Sequence, residues 1–191
     1  MDKISYFNKE YSYIKDDKIR EDLKYLVSNL PDYFFEIEAS STGKYHPKFA
    51  SGQNGLVRHP KVAVRIAYEL MGNPAICSFS DREKDLIIMA LTLHDGLKCG
   101  NPKEKYTRFD HPLLASSFIK EHKDKLSLSN DDIEFVTSVI STHMGNWNTD
   151  YNGNEVLPKP KNKYQRFVHM CDFLASRKVI NVEFLDTEIM E

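Results

Sequence analysis

The chain has little cysteine, with Cys77, Cys99 and Cys171 the only three in 191 residues. An odd count with no metal-ligand spacing excludes a disulfide scaffold and reads as reduced thiols. No apolar run approaches the ~20 residues that a membrane span needs. The first residues, Met1 to Tyr6, lack the apolar core of a secretory signal, so a cytoplasmic protein with no membrane partner is expected. No excess of charge of one sign exists either: Lys plus Arg is 26 and Asp plus Glu is 28, a net of -2. A non-specific nucleic-acid binder is usually basic, so no strong binding of duplex is expected. There is no strand-rich block, no internal repeat and no Gly/Ser linker. What remains is 41% hydrophobic and 28% charged, the composition of an ordinary globular chain. Its length fits a single domain, 1–191.

Helical signals dominate, and the expected fold class is all-α. Residues 14–29 are charged and helix-prone and end before Pro31. Residues 32–58 carry Gly, Ser, Pro and aromatics without a clean period and read mostly as loop. Val62, Ile66 and Leu70 mark one stripe of a helix from about Leu56 to Met71. Ser80-Asp81-Arg82-Glu83 is a capping box opening a helix to about Leu97. Asp110-His111-Pro112 starts another, with proline where the first turn tolerates it. Ser129 or Asn130 caps a fourth, which stops near Gly145. Residues 146–162 are polar, contain Asn-Gly and Pro-Lys-Pro, and read as a long loop. A last helix runs from about Lys163 to Val179.

The seven histidines matter by position. Ile87 and Leu91 lead to His94 at helical offsets, and Ile133, Val136 and Ile140 lead to His143 in the same way. Val168 and Asp172 are four apart, so an aspartate also faces inward, which is costly for a carboxylate without a partner or a metal. A lone core histidine is most often only hydrogen-bonded. The joint case differs, because four or five separate helices each offer a His or Asp to one interior. The series is His59, His94-Asp95, His111, His143 and Asp172. Imidazole with carboxylate suits a first-row transition ion better than Mg or Ca.

The local words around this series are Gly55-Leu56-Val57-Arg58-His59, Leu93-His94-Asp95-Gly96-Leu97-Lys98, Asp110-His111-Pro112, Ile140-Ser141-Thr142-His143 and Met170-Cys171-Asp172-Phe173. In order and kind they resemble the HD-domain superfamily of metal-dependent phosphohydrolases, over about 45–180. Ser41-Thr42-Gly43-Lys44-Tyr45-His46 and the two extra histidines resemble the branch with bacterial 3′-to-5′ exoribonuclease-like HD domains. Two departures stand out. Pro60 follows the first histidine, which is compatible with a helix that begins just before His59. Gly96-Leu97 inverts the family's usual order of an apolar residue then glycine.

The resemblance implies a single HD-type helical bundle with long loops at 32–58 and 146–162. It implies that His59, His94, Asp95 and Asp172 hold one divalent transition ion, and that Asp95, His111 and His143 hold a second. Mn, Fe, Co, Ni or Zn would suit, and Mg is acceptable. The implied activity is hydrolysis of nucleotide or oligonucleotide phosphoesters by metal-activated water, with Asp95 and Lys98 catalytic. Lys98 would neutralise charge on the phosphoryl oxygens. Lys44, His46 and Arg177 are candidates for substrate binding. His46 reads equally as a proton donor to the leaving group or as a cap for its loop. His169, three residues before Asp172, reads as its support, His122 as a surface residue, and Trp147 as a base-stacking residue or a loop anchor. Arg58 and Arg65 could line the pocket mouth. The expected partner is a small nucleotide or oligonucleotide, and a homo-oligomer stays open. The alternatives are a 3′-to-5′ exonuclease acting on short oligonucleotide ends and a non-catalytic ligand-binding or regulatory module. An oxygenase with a similar di-iron site is a third, which Lys98 disfavours.

Overall fold

A computed structural model describes residues 2–40, 46–150, 152–180 and 184. Among them are seven α-helices and no sheet, as expected for an all-α chain. These are α1 (Asn8–Tyr11), α2 (Asp17–Ser28), α3 (Gly55–Gly72), α4 (Asp81–Leu93), α5 (His111–Glu121), α6 (Asn130–Ser141) and α7 (Lys163–Ala175). Helix α3 packs on α4 and α7, α4 on α6, and α5 on α6, which also meets α7.

Three helix starts follow from one piece of local chemistry. Ser80 with Glu83, Ser129 with Asp132, and Asn162 with Gln165 are capping boxes that open α4, α6 and α7. Each satisfies backbone donors that have no partner in the first turn. Asp132 adds a tie between helices, because both its oxygens accept from the Arg82 guanidinium of α4, at 2.9 and 2.6 Å.

Helix α3 starts differently. Asn54 sits in the left-handed region, and its side chain donates to Phe35 O at 2.8 Å. A Cβ on Gly55 would lie 2.2 Å from Ala50 O, so only glycine lets the preceding loop cross there. Because α3 begins at Gly55, Pro60 falls in its second turn rather than its first. The expectation of a helix beginning just before His59 is therefore corrected. Leu56 O loses the amide that would bond to it at that point.

The described residues of the loop expected over 32–58 are more ordered than its lack of period suggests. Short 3₁₀ turns cover Asp32–Phe35 and Lys48–Ala50 and bury Tyr33, Phe34, Phe35 and Phe49. Several expected helices end early. Helix α4 ends at Leu93, not Leu97, and residues 94–100 form consecutive tight turns, such as Gly96 N–H to Leu93 O at 2.9 Å. A Cβ on Gly96 would lie 2.6 Å from Leu30 Cδ2, so α2's end packs against that turn. Helix α6 ends at Ser141, and α7 at Ala175 rather than Val179.

The segment before residue 14, for which the sequence has no readable period, is folded onto α3. Tyr6, Phe7 and Tyr11 are buried in the core. Lys61 of α3 is fully buried, and its ammonium donates to Glu10 Oε2 at 2.8 Å. Burial pulls the Lys61 amine below its ordinary value, while Glu10 opposes that shift. No helix among the described residues is long and apolar enough to cross a membrane.

Candidate metal centre

Six side chains of the series converge at one place in the core. His59, His94, Asp95, His111 and His143 are buried, and the Asp172 side chain is 15% exposed. His59 comes from α3, His111 opens α5, and Asp172 lies on α7. His94 and Asp95 follow α4, and His143 lies in the turn after α6. Three sets of three place their ligand atoms within 4.8 Å of one another: His59, His94 and Asp95; His94, His143 and Asp172; and Asp95, His111 and His143.

Three of the imidazoles are aimed by the same device. His94 Nδ1 lies 2.7 Å from Leu91 O, His111 Nδ1 2.7 Å from Arg108 O, and His143 Nδ1 2.8 Å from Ile140 O. In each case the carbonyl is three residues earlier. A carbonyl only accepts, so each Nδ1 carries a proton, and Nε2 is the ring atom turned inward. This is how proteins fix the tautomer of a ligating histidine.

The inward atoms are crowded. His111 Nε2 and His143 Nε2 are 3.3 Å apart, and His94 Nε2 and His59 Nε2 are 3.4 Å apart. Asp172 Oδ1 is 2.8 Å from His59 Nε2 and 3.4 Å from His94 Nε2. His111 Nε2 is 3.2 Å from Asp95 Oδ1, a buried oxygen that meets no other donor, and His59 Nδ1 is buried without a partner. Where both rings are neutral, the Nε2 lone pairs of His111 and His143 face one another beside a buried carboxylate oxygen and repel. A cation among them removes the conflict, and a donor set of imidazole and carboxylate fits a divalent transition ion. These residues could hold a metal ion.

Electrostatics favour neutral rings at His59 and His143 and charge on His94. Burial pushes the His143 imidazole down to about 3, with His94 adding to the shift, which favours the neutral ring at that position. Burial likewise lowers His59, against the pull of Asp172. Burial opposes charge on His94, but Asp95 and Asp172 outweigh it and raise that ring. Burial also opposes charge on Asp95, yet Lys98 and His94 hold its carboxyl well below the usual range. Asp172 is lowered in the same way by His59 and His94 against the effect of its burial.

Lys98 is brought to the centre by the turns after α4. Its ammonium lies 2.6 Å from Asp95 Oδ2, and the residue is buried. His46 stands edge-on to the His59 ring at 4.8 Å, with a buried Nδ1 that has no partner. Burial pushes its imidazole far below the ordinary value, with His59 adding to the shift, so the ring rests neutral. Lys44 lies outside the described residues.

The remaining residues singled out in the sequence have other contacts. His169 does not support Asp172. Its Nδ1 lies 2.6 Å from His143 O, so it braces the turn that carries His143. Arg58 donates to Gln53 O and Phe49 O, fixing the loop before α3. Arg65 Nε lies 3.5 Å from Glu10. Arg177 is outside the six-residue cluster, with its guanidinium 4.2 Å from the Phe173 ring centre. His122 is half-buried against Phe118 and Tyr25 rather than free on the surface.

Comparison of the chain with protein-family profiles, with curated proteins and with solved structures finds no match.

Proposed function

We propose that the protein is an HD-type metal-dependent phosphohydrolase acting on nucleotide or oligonucleotide phosphoesters. The observation that carries this reading is the pair of opposed Nε2 atoms of His111 and His143 beside the buried Asp95 Oδ1, with the Lys98 ammonium on the other oxygen of the same carboxylate. The sequence motifs, in the order of that superfamily, support it.

On this reading His59, His94 and Asp95, with Asp172 beside both histidines, would hold a first ion, and Asp95, His111 and His143 would hold a second. Bound divalent ions supply Lewis acidity to a phosphoryl oxygen and acidify water. The protein's own contributions are distinct. Asp95 lies between the two groups and offers one oxygen to each, Oδ2 towards His59 and Oδ1 towards His111. Lys98 turns from Asp95 to the phosphoryl oxygens as their charge grows. Asp172 is the most exposed of the six and marks the side from which substrate reaches the centre. The burial of the others keeps bulk water from competing.

Hydrolysis of 4-nitrophenyl phosphate and bis(4-nitrophenyl) phosphate with added Mn²⁺, with and without a chelator, tests this reading. Chelator-sensitive release of 4-nitrophenol is expected, abolished together with metal content in Asp95→Ala. Full turnover in Asp95→Ala would end the mechanism. Metal binding without turnover of either ester would favour a non-catalytic module instead.

A further inference from the structure

The turn that carries His143 also carries, two residues past Gly145, the chain's single tryptophan. Trp147 is 55% exposed. Among the described residues its ring contacts are to α7, not to the long loop that follows. That loop is held by the buried Asn148, whose Nδ2 donates to Leu157 O at 3.1 Å and whose carbonyl accepts from Val156 N–H at 2.8 Å. The indole is instead stacked on Phe173 of α7, with ring centres 5.9 Å apart and planes 19° apart. Arg177 Nε donates to Phe173 O at 3.2 Å while its guanidinium covers the same ring. The His169 ring is 6.4 Å from the indole and is tied to His143 O. The stack is thereby joined to the metal-type cluster twice. His143 precedes Trp147 by four residues, and Asp172 is the immediate neighbour of Phe173.

We propose that Trp147, backed by Phe173, is the stacking platform for the nucleobase of a substrate whose phosphate occupies the centre at Asp95 and Lys98. An indole that is 55% exposed leaves apolar area in water. Its stack on Phe173 fixes it in advance, so little side-chain freedom is lost when a base lands on it. Every base has a π-face, so such a platform selects for a base over a bare sugar phosphate and discriminates weakly among bases. The position of the phosphate rests on the phosphohydrolase reading, whereas the stack is read independently.

Because Trp147 is the only tryptophan, its fluorescence, excited where tyrosine does not absorb, reports on this residue alone. The full chain is titrated with AMP, GMP, a single-stranded trinucleotide and ribose 5-phosphate. Saturable quenching by the base-bearing ligands but not by ribose 5-phosphate is expected. Quenching by AMP and GMP assigns the platform to mononucleotides, and quenching by the trinucleotide alone assigns it to a strand end. By calorimetry, Trp147→Ala should bind the quenching ligand on the order of 10-fold more weakly, and Trp147→Phe should restore most of that loss. Equal quenching by ribose 5-phosphate, no quenching at all, or unchanged affinity in Trp147→Ala overturns the proposal. Normal quenching in a protein that hydrolyses neither 4-nitrophenyl ester would sink the phosphohydrolase reading and leave the platform standing.

Discussion

On the proposed reading, Lys98 is the residue at which ligation and chemistry separate. Its ammonium is an ion-pair partner of Asp95 and not a metal-ligand type. Lys98→Ala is expected to keep its metal and lose on the order of 100-fold in kcat, about 2.7 kcal/mol, as when one oxyanion donor is removed. Metal content and kcat measured on one preparation check this, and an emptied site would make Lys98 structural. At this scale His94, His143 and Asp172 were legible as polar residues on apolar stripes, whereas His59, Asp95 and His111 were legible only through the motifs that resemble the HD-domain superfamily. The helpers were not. His169 shares a helix face with Asp172, yet it bonds to the carbonyl of His143, a residue 26 positions away. Spacing along one helix carries no information about the turn that packs against it.

Among the elements, the turns decide how the centre is built. His94 and His143 lie just past the ends of α4 and α6, so helical periodicity alone does not aim them. The bond from Nδ1 to the carbonyl three residues back does. The turn after α6 needs Gly145, which has φ of +62°, and a Cβ there would lie 2.2 Å from the His169 ring. Gly145→Ala must therefore strain the backbone and displace His169 from His143 O. A loss of about 2 kcal/mol in stability is expected from these effects together. Metal affinity should fall as well, since the brace on His143 is lost. Denaturant unfolding and metal titration of the variant check this, and wild-type values in both would show the turn to be permissive. The capped helix starts were readable because capping boxes are local. The early ends of α4, α6 and α7 were not, because apolar positions continue at near-helical spacing through the turns.

For the whole molecule, the all-α class was legible from its helical periods and the missing strand signal. The N-terminal segment was not, since elements of four residues have no period to read. Its place is fixed by the buried pair of Glu10 with Lys61 and by Tyr6, Phe7 and Tyr11. The centre draws residues from α3, α5, α7 and the turns after α4 and α6, so metal bound there ties together most of the fold. Binding to the folded chain alone stabilises it by about 4 kcal/mol when free metal is near 1,000 times Kd. For a chain of this size that is roughly 8–16 °C in Tm. A chelator should lower Tm by that order and added Mn²⁺ should restore it, as calorimetry would record. An unchanged Tm would mean that the six side chains hold one another without an ion.

The most direct test of the centre is the number of metal ions bound per chain. Protein purified without chelator and brought to saturation with Mn²⁺ or Zn²⁺ is assayed by elemental analysis, and the ions are located by anomalous scattering from crystals. Two ions per chain are expected, one among His59, His94, Asp95 and Asp172, the other among Asp95, His111 and His143. One ion, with His111 and His143 bonded only to each other or to water, would contradict the binuclear assignment. No ion at saturating metal would contradict the centre itself.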